Sequence, residues 1–219
     1  GYDRSWTELS RSAVPLVATH HPNEPGRVSV HDWPAAAATI IVDQGSGTAM
    51  VPAGSAFDPG GIGKGLAADL LVAEAMTSGA EAVLVSLGGD IRAAGSPPLD
   101  GWLIALEDPF DRPGAPALHV SIPWGAVATS TVAHRRWENR DGVFHHLIDP
   151  RTGRPADSGV VAVTAIGGAC WLAESLAKAA LVAGRDEGLA LLEASAIEAV
   201  LTDSTGEHHF TPGMREFLR

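Results

Sequence analysis

An α+β domain, an antiparallel-rich sheet with packed helices, is the fold that this 219-residue chain predicts. Three observations carry that reading. Short apolar or β-branched runs bounded by Gly, Pro, Asn and Asp recur along the chain, as strands require. Long segments with apolar residues at helical spacing are few, and they stand among groups of strands instead of alternating with single strands, which sets the pattern apart from a regularly wound parallel fold. Hydrophobic residues make up 45% and charged residues 19%, the balance of a folded globular chain. The length suits one large domain or two small ones; we read residues 1–219 as one.

Taken in order, residues 1–17 read as a short helix entering an extended segment. Residues 36–42 are apolar and end β-branched before Asp43-Gln44-Gly45-Ser46-Gly47, so they predict a strand, a turn, and a second strand over 48–52. Ile62, Leu66, Leu70, Ala73 and Met76 mark a helix over 62–77, stopped at Gly79. A continuous apolar run predicts a buried strand over 82–87, ending at Gly88-Gly89-Asp90. Further strands are expected over 102–106 and 118–122, separated by a Pro-rich loop, then over 143–148 and 160–166. Helices follow over 169–182 and 185–194. A hairpin of 197–203 and 207–211 turns at Asp203-Ser204-Thr205-Gly206.

The formal net charge of -11 argues against nucleic-acid phosphate as the main partner, although a small phosphorylated ligand in a local pocket is compatible with it. Cys170 is the single cysteine, so no intramolecular disulfide forms and the redox compartment is not readable. No transmembrane segment is predicted: the most apolar stretch, 160–184, is interrupted by Glu174 and Lys178. The first residues carry charge and no apolar signal core, and no compartment follows from the sequence.

Five segments carry groups suited to chemistry. Asp58-Pro59-Gly60-Gly61-Ile62-Gly63-Lys64-Gly65 precedes the first long helix. A helix N-terminus offers free N–H groups to an anion, glycines allow close approach, and Lys64 adds a mobile cation. The same residues also read as a plain turn in which Asp58 caps the helix. Gly88-Gly89-Asp90 closes a strand, where a ligand or a tight turn with Asp90 bonded to its own backbone fits; the triplet alone favours the turn. Thr129-Ser130-Thr131, before His134-Arg135-Arg136, reads alone as a helix N-cap with a solvated basic face, and alternatively as a phosphate contact.

The segment from His145 to Asp157 concentrates two histidines, two carboxylates and two arginines around a Pro/Gly turn. A strand would set His145 and His146 on opposite faces, so one of them faces a site. Glu174 and Lys178 share a helix face. They make either an ion pair worth about 0.2–0.5 kcal/mol or a place for a carboxylate to hold a divalent cation.

Together and in this order, the segments Asp58–Gly65, Val85-Ser86-Leu87-Gly88-Gly89-Asp90-Ile91, Ala128-Thr129-Ser130, His146-Leu147-Ile148-Asp149-Pro150-Arg151-Thr152-Gly153 and Ala173-Glu174-Ser175-Leu176-Ala177-Lys178 resemble the FAD:protein FMN transferase family, long called ApbE. The resemblance runs from about Asp32 to the C-terminus. It implies a fold mixing antiparallel sheet with packed helices. It also implies FAD as substrate, Mg²⁺ as metal, and an acceptor flavoprotein whose Thr or Ser receives FMN while AMP leaves. Relatives that bind or hydrolyse FAD without transfer, and a degenerate non-catalytic scaffold, are the alternatives.

Carried over by position, the resemblance implies nucleotide contacts at Asp58, Lys64, Gly89, Asp90, Thr129 and Ser130, and backbone contacts at Leu147 or Ile148. It implies a general base at His146, with Asp149 orienting it or shaping the turn. Metal positions fall on the Gly61 carbonyl, Glu174, Ala177 and Lys178. The family usually has Asp at 174 and Thr at 178. A protonated lysine cannot ligate a metal, so the ammonium of Lys178 is expected to replace part of the metal's charge, leaving Mg²⁺ weakly held or absent. Family members also carry a further N-terminal segment that helps cover the flavin; beginning at Gly1-Tyr2-Asp3-Arg4, this chain resembles an N-terminally truncated member with lowered FAD affinity.

Overall fold

The computed structural model describes residues 40–52, 57–114, 117–140 and 142–219. The helix expected in 1–17 and most of the strand expected over 36–42 lie outside them. The chain divides into two compact units, residues 1–58 with 135–156, and residues 59–134 with 157–219.

The larger unit is built on a six-stranded sheet in the order β14-β13-β12-β7-β4-β3, every neighbouring pair antiparallel. Its strands are β3 (Ala82–Leu87), β4 (Asp90–Gly95), β7 (Gly125–Thr131), β12 (Val160–Gly167), β13 (Glu198–Asp203) and β14 (His208–Phe210). Helices α1 (Gly63–Thr77) and α2 (Cys170–Ala183) lie on one face, and α3 (Arg185–Ala194) packs on α2 and β13. The hairpin of β5 (Trp102–Ala105) and β6 (His119–Ile122) covers the other face with the C-terminal segment. There Ile104, Val120, Ile122 and Met214 join Ala93, Val127, Ile166 and Val200 in the main core. The fold is therefore the α+β arrangement expected.

Alternation along the strands sets which residues meet the helices. In β4, Ile91 and Ala93 enter the main core, so Asp90 and Arg92 point to the helix side. In β7, Ala126 packs with Ala68 of α1 and Cys170 of α2. Polar residues on this interior face disguise β4 as a loop in the sequence, and the small residues of β7 lower its strand propensity. Neither strand was predicted.

The apolar stripe that marks α1 in the sequence is not its buried face. Gly65, Ala68 and Val72 are buried, whereas Leu66 and Leu70 are exposed. Small residues win the interior side because α1 lies close against α2. A Cβ added to Gly65 would sit 2.6 Å from the backbone of Cys170 and Trp171. The buried stripe of α2 is similarly small, Ala173, Ala177 and Ala180, with Glu174 the charged exception.

Among the described residues, the smaller unit contains three two-stranded pairings. β1 (Ile41–Asp43) joins β2 (Thr48–Met50) through a turn in which Asp43 accepts the Gly45 N–H at 2.9 Å. β8 (Arg136–Asn139) joins β9 (Gly142–His145), with Trp137 and Phe144 stacked at 6.3 Å. β10 (Ile148–Asp149) joins β11 (Arg154–Pro155). The strand expected over 143–148 is thus broken. It stops at His145, because the Leu147 N–H turns back to His145 Nδ1 at 3.2 Å. The opposite-face argument for His145 and His146 fails with it.

Candidate functional site

In the larger unit, three elements deliver four charged side chains to one place. A 3-10 turn, Pro59–Gly61, leads into α1, whose N-cap residue is Ile62. Lys64 stands at the start of α1. Gly88 and Gly89 form a two-residue turn with φ of 59° and 91°, the left-handed pair that joins tightly paired strands, and Asp90 follows as the first residue of β4. Glu174 projects from the buried stripe of α2, with Lys178 one turn further on.

The Lys64 ammonium bridges the two carboxylates, bonding Asp90 Oδ2 and, at 2.8 Å, Glu174 Oε1. Lys178 donates to the same Glu174 Oε1 at 3.0 Å, and Glu174 Oε2 accepts the Gly65 N–H at 2.8 Å. Asp90 Oδ1 accepts the Thr129 N–H at 3.2 Å, taking up a ladder donor where the β4–β7 pairing ends. Asp90 therefore does not fold back on its own turn, and Thr129-Ser130-Thr131 ends a strand instead of capping a helix.

Both carboxylates are 1% exposed, against 37% for Lys64 and 23% for Lys178, so the acids are buried under lysine side chains that are themselves partly exposed. Buried charges survive only when paired this closely. Burial alone would lower the Lys64 pKa, but its bonds to Asp90 and Glu174 outweigh that and hold it above the ordinary lysine value. Burial pushes Glu174 up, yet Lys64, the Gly65 N–H and Lys178 bring it below the usual carboxylate value. For Lys178 burial dominates and its pKa falls, only partly countered by Glu174.

Two residues that sequence reasoning missed hold this frame. Asp69 of α1 accepts the N–H groups of Cys170 and Trp171, both at 3.0 Å, and so caps α2 from a different helix. Arg92 of β4 donates to Asp69 at 2.9 Å and to the Gly125 carbonyl at 3.0 Å. Neither lies in a local motif; a capping partner 101 residues away leaves no sequence signal. Cys170 is buried beneath them and its thiol is pushed up to about 12, chiefly by burial, which makes it inert as a nucleophile.

The expected metal positions come together only in part, and they do not fit a divalent ion as they stand. Gly61 lies beside Lys178: a Cβ added there would be 3.8 Å from Lys178 Cδ, and its carbonyl accepts the Ser175 hydroxyl at 3.4 Å. Ala177 is fully buried on α2. Magnesium demands oxygen donors at about 2.0–2.1 Å in near-octahedral array. Here both Glu174 oxygens already accept hydrogen bonds, and an ammonium stands beside them. A divalent ion about 4 Å from that ammonium would be repelled by roughly 8 kcal/mol at an effective dielectric of about 20.

Of the remaining nucleotide candidates in this unit, Gly89 shapes the turn and Thr129 shares a 2.8 Å hydroxyl bond with Thr164. Ser130 points to the helix side, and its buried Oγ has no hydrogen-bond partner among the described residues. In the smaller unit, His145 is architectural, with Nε2 2.9 Å from the Ala156 carbonyl. Leu147 is buried and its carbonyl accepts the Ala156 N–H at 2.9 Å; Ile148 pairs with Pro155. Asp149 accepts the Arg151 N–H at 2.8 Å and its guanidinium Nη2 at 3.0 Å, while its carbonyl takes the Gly153 N–H at 2.8 Å. The Arg151 guanidinium holds the Asp149 carboxyl below its ordinary value. These bonds make Asp149 the organiser of the turn. Asp58 is exposed, and His146 is half-buried.

The ApbE family matches residues 14–201. The FAD:protein FMN transferase of Treponema pallidum (strain Nichols) is 36% identical over 154 residues, covering 65% of this chain and 42% of that protein. The FAD:protein FMN transferase of Vibrio cholerae is 33% identical over 163 residues, covering 72% of this chain and 48% of that protein. The crystal structure of the ApbE protein from Thermotoga maritima covers 98% of this chain and 74% of its own, at a TM-score of 0.73 and 26% identity. The chain spans less than half the length of these two transferases. No helix among the described residues is long and apolar enough to cross a membrane.

Proposed function

Since the chain belongs to the ApbE family, we propose that it cleaves the diphosphate of FAD and attaches FMN through a phosphoester to a Thr or Ser of an acceptor flavoprotein, releasing AMP. The observation that carries this is the Lys64–Asp90–Glu174–Lys178 cluster. It sets two partly exposed lysines on buried carboxylates, Lys64 at the start of α1 and Lys178 on α2, an arrangement suited to a diphosphate. The orphaned Ser130 hydroxyl, on the same side of the sheet as Asp90, adds a buried donor suited to a polar ligand.

Transfer makes one bond and breaks one. The acceptor hydroxyl oxygen bonds to the phosphorus of the FMN half, the bridging P–O bond breaks, and AMP leaves with the bond's electron pair. The hydroxyl proton passes to His146, assigned as base on its place in the family motif and the suitability of imidazole near neutral pH. Lys64 and Lys178 balance charge on the phosphate oxygens, and positioning supplies most of the remainder. Asp58, Gly89, Asp90, Thr129 and the Leu147–Ile148 backbone are assigned to nucleotide contact on the same basis. Asp149 shapes the turn between β10 and β11 that follows His146 in the chain, as its bonds to Arg151 and Gly153 support.

Replacing His146 with Ala tests the assignment. Flavin transfer to a threonine-bearing acceptor is expected to fall by about a hundred- to ten-thousand-fold, with FAD affinity, followed by flavin fluorescence, nearly unchanged. Near-normal transfer removes His146 as the base.

A further inference from the structure

We propose that the Lys178 ammonium is the resident cation at Glu174, and that the chain binds the diphosphate of its ligand through Lys64 and Lys178 without a divalent metal ion. Only the identity of the ligand rests on the flavin-transfer reading; the cation assignment stands on the geometry of the larger unit.

Glu174 is the one buried acid on α2, and both of its oxygens are already engaged. Oε1 accepts two ammoniums, at 2.8 and 3.0 Å, and Oε2 accepts a backbone N–H at 2.8 Å. The Lys178 stem runs past Gly61, so lysine fills the space between the helix carboxylate and the turn before α1. The remaining acid, Asp90, is held by Lys64 and the Thr129 N–H. Within this cluster two carboxylates and two ammoniums therefore cancel, and among its described residues no carboxylate is left unpaired to recruit a divalent ion. Each ammonium has three N–H donors, and the Lys64 and Lys178 side chains are partly exposed, so a dianionic diphosphate meets donors, the polarity it needs.

A fixed ammonium differs from a metal ion in one measurable way: it cannot be titrated in or chelated out. The purified chain is titrated with Mn²⁺ and the free-ion electron paramagnetic resonance signal is followed. The wild-type protein is expected to leave that signal unchanged into the millimolar range. Lys178→Thr, which exchanges the ammonium for an oxygen donor, is expected to gain saturable Mn²⁺ binding at least tenfold tighter. Wild-type Mn²⁺ binding that disappears in Glu174→Gln overturns the proposal, and so does a folded Lys178→Thr that gains no site. The wild-type titration decides the matter even if Lys178→Thr does not fold. In a second arm, ADP affinity is measured by calorimetry in EDTA and in Mg²⁺. Equal values support the proposal, and affinity more than tenfold tighter in Mg²⁺ overturns it. The Mn²⁺ arm contains no flavin, so its failure leaves flavin transfer standing. Absence of FAD binding by a protein silent to Mn²⁺ removes the flavin reading and leaves the cation assignment intact.

Discussion

The charges at Glu174 come from three elements far apart in the chain, whereas those at Asp149 come from a single turn. Lys64 lies 26 residues from Asp90 and 110 from Glu174; Arg151 lies two residues from Asp149. The helix-borne acid is 1% exposed, and the turn's guanidinium is 63% exposed. The first cluster exists only once α1, α2 and β4 are packed, and it carries its full electrostatic weight in a poorly solvated place. The second forms locally and is screened by water. Similar ion pairs thus differ in origin: one is a cluster assembled by the fold, the other a clip that shapes a loop.

The largest effect that would break this contrast is at Glu174. Glu174→Ala leaves the Lys178 ammonium and the Gly65 N–H without their acceptor and Lys64 with Asp90 alone, and a loss of about 3–5 kcal/mol in denaturant unfolding is expected. Its pH signature follows from the shifts. Glu174 is held below its usual 4.5, so its contribution is fully present above that pH and is lost as pH falls through the lowered value. Lys64 is held above 10.5, so its contribution is present below that pH and is lost as pH rises through the raised value. Glu174→Gln is expected to flatten both limbs of a stability–pH profile; an unchanged profile would show the cluster to be idle.

Gly65→Ala comes next. Its new Cβ would lie 2.6 Å from the backbone of Cys170 and Trp171, forcing α1 off α2. About 1–3 kcal/mol of overpacking is expected in thermal or denaturant unfolding. A neutral result would mean that the helices do not approach as closely as Lys64 needs in order to reach Glu174. The smallest effect is at the turn. Asp149→Ala removes the Arg151 N–H bond and an ion pair whose guanidinium is exposed to solvent, for about 1 kcal/mol by the same measurement. A loss as large as that at Glu174 would erase the distinction between cluster and clip.

What was legible in the sequence divides along the same line. Local signals survived: α3 falls over the residues expected, β3 ends at its glycine pair, and the β13–β14 hairpin turns on Asp203, whose carboxylate accepts the Thr205 N–H at 2.8 Å. The Glu174–Lys178 contact was readable from its spacing of four. Non-local features were not. Nothing near Lys64 announces that Asp90 and Glu174 are its partners, and nothing near Asp69 announces that it caps α2. β4 was hidden because Asp90 and Arg92 occupy the interior face where apolar residues are the usual signal. His146 was placed in a strand because the backward bond from the Leu147 N–H to His145 has no pattern of its own.

The measurement that bears most directly on the proposed activity is the ratio of AMP released to flavin attached, after incubation with FAD and a threonine-bearing acceptor, read by mass spectrometry of the acceptor and chromatography of the nucleotides. FMN transfer predicts equimolar AMP and acceptor-linked FMN, the flavin joined through a phosphoester to Thr or Ser. AMP and free FMN appearing while the acceptor stays unlabelled would contradict it.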